Sequence, residues 1–230
     1  MFFIANLILK GSGNGMILLL NFKLKRLARL LYGQGHNLCA GKKESETKMT
    51  ISSNGWYDNA RHAPSPYFDS RPDCEDISLL VVHNISLPLG QFGGPYIEQF
   101  FTGNLNPNAH PFFKVIHQMG VSAHCLIRRD GEVVQFVSFL DRAWHAGQSS
   151  FAGRERCNDY SIGIELEGSD FAAYTEQQYQ SLSQLTETLM SNFPEITEQR
   201  ITGHQYIAPL RKTDPGLVFD WQKFKRKLKA

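Results

Sequence analysis

Apolar positions along this chain follow two spacings, and each predicts a different kind of element. Ile77 to Val82 is an apolar run interrupted only by Ser78, long enough for a strand buried on both faces, and it delivers His83-Asn84 to the strand end. Tyr160 to Leu166 alternates instead. Ile162, Ile164 and Leu166 fall on one face, and Gly163, Glu165 and Glu167 on the other, so two carboxylates point the same way. Val121 to Ile127 and Glu132 to Phe136 flank Arg128-Arg129-Asp130-Gly131, whose Asp-Gly step predicts a hairpin. Helical spacing returns at Leu182, Leu185, Leu189 and Met190, and Thr175 with Gln178 three residues on is a capping-box signature, giving a helix over 175–190. Shorter helices are predicted over 95–101 and 220–229, the second with Trp221, Phe224 and Leu228 facing inward, and an extended lead over 200–202. Residues 56–77, rich in Pro, Asp, Arg and Ser, read as an extended lead-in; 86–94 and 103–108 read as loops too long for mere connectors. This order predicts an α/β fold, a mixed central β-sheet flanked by helices.

Charge divides the chain. Residues 1–48 carry eight Lys/Arg against two Glu, whereas 49–230 carry sixteen against twenty Asp/Glu, so the overall +2 hides a basic start and a mildly acidic body. We therefore read 1–48 as an N-terminal extension, disordered or an artefact of an upstream start site, and 49–230 as the working domain. An acidic body lacks the basic footprint of nucleic-acid binding. Phe2 to Leu9 and Met16 to Leu20 are too short to span a bilayer, and the positive charges follow the apolar stretch rather than precede it, against a secretory signal. Residues 22–32 interleave Leu24, Leu27, Leu30 and Leu31 with Lys25, Arg26 and Arg29, a pattern suited to an anionic membrane surface, but no stable membrane insertion is expected. Cys39, Cys74, Cys125 and Cys157 form no CxxC pair, as expected for reduced thiols in the cytoplasm.

The chemistry lies in scattered polar residues. His83, His204 and Asp214 offer two imidazole nitrogens and a carboxylate oxygen, the ligand set of a zinc site that keeps its fourth position for water. His124 and His145 compete with them as ligands. Glu165 or Glu167 is suited to take a proton from an attacking water, although either is also a candidate salt-bridge partner for Arg154 or Arg156. Lys212 is a candidate for stabilising charge that develops on oxygen. Other chemistries fare worse. The chain has no G-x-S-x-G, Cys125 and His124 adjoin along a strand and so point to opposite faces, and the glycines form no Walker or dinucleotide fingerprint.

From Gly55 to Trp221 the chain carries Leu80-Val81-Val82-His83-Asn84-Ile85-Ser86-Leu87-Pro88, Ala109-His110-Pro111-Phe112-Phe113, Arg142-Ala143-Trp144-His145-Ala146-Gly147, Ser161-Ile162-Gly163-Ile164-Glu165-Leu166-Glu167-Gly168 and the run from Gly203-His204 to Asp214-Pro215-Gly216. In these motifs it closely resembles the cytoplasmic 1,6-anhydro-N-acetylmuramyl-L-alanine amidases (AmpD), within the superfamily that also holds phage lysozyme-type amidases and peptidoglycan recognition proteins. The resemblance implies one catalytic Zn2+ on His83, His204 and Asp214, Glu165 rather than Glu167 as the catalytic carboxylate, and Lys212 as transition-state stabiliser. It further implies that Asn84 and Arg156 contact the muropeptide and that Trp144 shapes the pocket. The implied substrate is an anhydro-muropeptide, cut between the anhydromuramyl lactyl group and L-alanine by a monomeric cytoplasmic enzyme. Two rivals remain: a broader periplasmic N-acetylmuramoyl-L-alanine amidase, with 1–48 as a targeting or membrane-associating segment, and a non-catalytic peptidoglycan-binding module. The second should lack a ligand or Glu165, and this chain lacks neither. One departure is Tyr206, where the family commonly has an aspartate; that position is not an assigned ligand.

Overall fold

In the computed structural model, which describes residues 50–228, the strands are β1 (Arg61–His62), β2 (Phe68–Ser70), β3 (Leu79–Ile85), β4 (Cys125–Ile127), β5 (Val133–Gln135), β6 (Asp141–Ala143), β7 (Ser150–Phe151), β8 (Arg154–Glu155), β9 (Ser161–Glu167) and β10 (Ile201–Gly203). The α-helices are α1 (Tyr96–Phe101), α2 (Phe113–Ile116), α3 (Glu176–Asn192), α4 (His204–Ile207) and α5 (Trp221–Lys227). The basic segment at 22–32, Cys39 and the rest of 1–48 lie outside the described residues.

Six strands form a mixed sheet in the order β1-β5-β4-β9-β3-β10, with only the β4–β5 hairpin antiparallel. The mixed sheet with flanking helices is the architecture expected from the residue pattern. Its centre is the parallel pair β3 and β9, in register from Leu79↔Ser161 to Ile85↔Glu167. Leu80 and Val82 of β3, with Ile162, Ile164 and Leu166 of β9, pack against Leu182, Leu185 and Leu189 of α3. Each such side chain, fully buried, contributes about 1.5–3 kcal/mol, which makes these strands a stiff platform for whatever their opposite face carries. Helix α3 starts where its capping box says it should: the Gln178 N–H donates to Thr175 Oγ1, and the Thr175 N–H to Gln178 Oε1. Gln178 Nε2 also donates to the carbonyls of Ile127 and Glu167, pinning the helix start to the ends of β4 and β9. A second apolar cluster, with Phe101, Phe113, Leu126, Val134 and Phe136, fills the other side under α1 and α2.

Two expectations need correction, and a third, the extended lead-in, gains detail. Strand β3 runs on to Ile85, so His83 and Asn84 lie within it, because their backbone continues the ladder with Glu165 and Leu166. The lead-in is not featureless: β1 adds to β5, and β2 pairs with β6. Strands of two or three residues are too short to show a period, and only their tertiary partners define them. His124 lies just before β4 rather than inside it. No helix among the described residues is long and apolar enough to cross a membrane.

Candidate active site

Three parallel strands bring the polar residues together. His83 on β3 is the register partner of Glu165 on β9, and Gly203, the last residue of β10, pairs with Val82, so His204 emerges beside His83. Asp214 comes from a turn that folds back onto β10. A Cβ at Gly203 would lie 2.8 Å from Pro215 Cδ, so glycine there permits the turn's close approach. The Gln205 N–H donating to the Asp214 carbonyl at 2.9 Å ties the turn down. As a result His83 Nδ1 stands 2.9 Å from His204 Nδ1 and 3.1 Å from Asp214 Oδ2, and His204 Nδ1 stands 2.9 Å from the same oxygen. Among the described residues these three form the one cluster of metal-ligating groups.

Their surroundings say where the protons are. The Ala146 carbonyl, 3.1 Å from His204 Nε2, can only accept, so Nε2 carries a proton, and in the neutral ring that ligates a metal Nδ1 is left with the lone pair. Ser161 donates its hydroxyl proton to the Cys157 carbonyl at 2.6 Å and accepts from His145 Nε2 at 3.2 Å. His145 Nδ1 is then a lone pair facing His83 Nε2 at 2.9 Å, so the His83 proton sits on Nε2. His83 Nδ1, like His204 Nδ1, therefore offers a lone pair. Burial holds the His83 imidazole down at about 4, and it is neutral at pH 7. Two lone-pair nitrogens and an ionised oxygen meeting at about 3 Å repel one another unless a cation lies among them. The donor set suits zinc with one position open.

Glu165 and Glu167, which alternation could not separate, differ in their partners. Glu167 accepts from the Gly93 N–H at 2.6 Å and the Arg129 N–H at 3.1 Å, a buried carboxylate with a structural job. Glu165 is buried with Oε2 lacking any hydrogen-bond partner. Burial first, then the charge of Asp214, push its carboxyl well above the ordinary range, against the pull of Lys212. Neither glutamate pairs with Arg154 or Arg156, which instead meet Asp76 and Asp159.

His83, Asn84, Trp144, Glu165, His204, Lys212 and Asp214 line a single cavity of about 630 Å³. The Trp144 indole N–H donates to Asp69 at 3.0 Å, fixing the ring as part of the wall. Asn84 is engaged, its Nδ2 donating to Asp170 at 2.9 Å. Arg156 is not in this cavity; it is exposed and lines an adjoining depression that shares Arg211 with it. The competing histidines are not in the trio. His145 backs His83, and His124 accepts from the Gly163 N–H and donates to the Asp141 carbonyl. Tyr206 is exposed near Trp221, away from the cavity lining. Sequence reasoning missed Ser161, Gly163 and Asp170; the first two share the alternating face with Glu165, a signal that was available, whereas nothing in the sequence marks Asp170.

The N-acetylmuramoyl-L-alanine amidase family matches residues 73–217, more than half of the chain. The 1,6-anhydro-N-acetylmuramyl-L-alanine amidase AmpD of Salmonella typhimurium (strain SL1344) is 61% identical over 175 residues, 76% of this chain and 93% of that protein. A crystal structure of a selenomethionine AmpD derivative superposes with a TM-score of 0.76 at 59% identity, covering 78% of this chain and 99% of that one. The amidase AmiD from E. coli, solved in complex with the substrate anhydro-N-acetylmuramic acid-L-Ala-D-gamma-Glu-L-Lys, superposes with a TM-score of 0.52 at 26% identity, over 78% of this chain and 66% of that one.

Proposed function

Because the chain belongs to the N-acetylmuramoyl-L-alanine amidase family and is 61% identical to an AmpD over 93% of that protein's length, we propose that it hydrolyses the amide between 1,6-anhydro-N-acetylmuramic acid and L-alanine in recycled muropeptides. One zinc ion is the cofactor. The observation that carries this reading is the meeting, in one cavity, of three convergent lone-pair ligands and a buried carboxylate with an unpartnered oxygen.

His83, His204 and Asp214 hold the zinc, which when bound supplies Lewis acidity, polarising the scissile carbonyl and lowering the pKa of water. Glu165 Oε2, with nothing else to bond, takes the proton of the attacking water and returns it to the L-alanine nitrogen as the bond breaks. Its carboxyl, raised by burial, is a stronger base than a solvated glutamate, which is what abstraction from water asks for. Lys212, exposed on the cavity wall, brings a positive charge to the oxygen on which negative charge develops. Asn84, held by Asp170, and Trp144, held by Asp69, present fixed groups to the muropeptide. Arg156 and Arg211 flank the adjoining depression, where a guanidinium fork is suited to a carboxylate of the peptide stem.

On this reading 49–230 is the amidase domain and 1–48 an extension not needed for chemistry. The enzyme works in the cytoplasm, in keeping with Cys74, Cys125 and Cys157 as free thiols. The test is product analysis by mass after incubating the full chain, zinc quantified, with anhydromuramyl tripeptide and separately with intact peptidoglycan. Release of free tripeptide from the soluble substrate alone is expected. Cleavage of intact peptidoglycan as well would favour a broader amidase, and no cleavage of either by zinc-loaded protein a binding module.

A further inference from the structure

The face of β9 that carries Glu165 also carries Ser161 and Gly163, and both serve one neighbour, His145. The N–H groups of His145 and Ala146 both donate to Asn158 Oδ1, at 3.2 and 2.7 Å, fixing the backbone. The ring lies over Gly163, where a Cβ would come within 2.4 Å of its Cγ, so any larger residue would displace it. Ser161 Oγ, committed to the Cys157 carbonyl through its own proton, leaves the ring one role at Nε2, that of donor. The opposite nitrogen must then accept from His83 Nε2. The chain Cys157 carbonyl, Ser161, His145, His83 is thus a one-way relay of hydrogen bonds ending in a lone pair on His83 Nδ1, aimed at His204 and Asp214.

We propose that His145 is a positioning residue for the metal, its orientation imposed by Ser161 and Gly163, and that it sets zinc affinity by locking His83 in the tautomer that ligates through Nδ1. An outer partner that fixes the tautomer and orientation of a ligating histidine also makes it a better donor, and loss of such partners weakens metal binding by about 10–100-fold. His145 touches neither the water nor the peptide bond in this scheme. Its effect on turnover comes through His83.

The proposal rests on the zinc reading above, and the experiment separates the two. Zinc dissociation constants would be measured by chelator competition at fixed pH for the full-length wild type and for His145→Phe, His145→Asn and Ser161→Ala. His145→Phe keeps a ring but no lone pair, and zinc binding is expected to weaken about 10–100-fold. His145→Asn places a carbonyl oxygen where Nδ1 stood and is expected to recover most of the loss, a rescue that simple filling of space would not give. Ser161→Ala leaves the ring in place and frees its tautomer, with a several-fold loss expected even if the phenylalanine variant does not fold. Nitrogen-correlated NMR of the zinc-loaded imidazoles should show the His83 proton on Nε2 in the wild type. Zinc affinity unchanged in Ser161→Ala and in folded His145→Phe, or asparagine no better than phenylalanine, would overturn the relay while leaving the metal site standing. Failure of the wild type itself to bind zinc would overturn the site, and the relay with it.

Discussion

Glu165 and Glu167 lie two residues apart on one face of one strand, both buried, and they do opposite things. Glu167 is met by two backbone N–H groups, from Gly93 and Arg129, and so latches the 86–94 loop, which lines the cavity, to the sheet. Glu165 meets no donor at Oε2 and faces the lone pairs of the metal trio across the cavity. Burial alone therefore does not mark a catalytic carboxylate. A satisfied carboxylate is structural, and one left unsatisfied at a cost of about 1–3 kcal/mol or more is kept for something the fold does not supply.

Asp214, a third carboxylate and only partly buried, carries the largest expected effect. Its oxygen faces two lone-pair nitrogens, so Asp214→Ala should lose zinc and activity together, read as metal stoichiometry and turnover on the same sample. Full stoichiometry would break the assignment. Lys212→Ala removes the charge set against the developing oxyanion and is expected to lower kcat roughly 10²–10³-fold with zinc retained, the range seen when one such stabilising group is removed. Glu167→Gln should act on the other side of the contrast. One acceptor pair is weakened, stability should fall by about 1–3 kcal/mol in denaturant unfolding, and KM should rise several-fold with kcat largely kept. A loss of kcat comparable to that of a Glu165 variant would erase the distinction.

The smallest effect is in the pH dependence of stability. In metal-free protein the folded Glu165 carboxyl titrates above its unfolded value near 4.5, so the folded state holds more protons in that window. Stability is therefore fully present below the unfolded value and is lost as pH rises through the folded one. Relative to Glu165→Gln, metal-free wild type should lose stability with rising pH across that window and then level off. The difference reads Glu165 together with its coupling to Asp214, and a flat difference would show that Glu165 is not desolvated.

Much of this was legible in the sequence. The run before His83, the alternation around Glu165 and the capping box of α3 are local signals, and the structure follows them. Strands β1, β2 and β6 to β8 were not legible, since two or three residues carry no period. Asp214 could be named as a candidate ligand, but its approach to His204 depends on a turn packed against Gly203, a long-range contact that no local pattern encodes. The choice between the two glutamates was closed to alternation for the same reason: what separates them is the Gly93 and Arg129 N–H groups, some 74 and 38 residues away. His145 stood out as a possible ligand, and only the direction of its hydrogen bonds makes it a neighbour of one.

On the proposed reading, the unpartnered carboxylate of Glu165 does the proton transfer at a zinc site it does not help to build. Its most direct test is Glu165→Gln, with zinc content and hydrolysis of anhydromuramyl tripeptide measured on the same preparation. One zinc per chain is expected, with turnover lowered by roughly 10²–10⁴-fold, the usual worth of a positioned general base. Near-wild-type turnover from a fully zinc-loaded variant would contradict it.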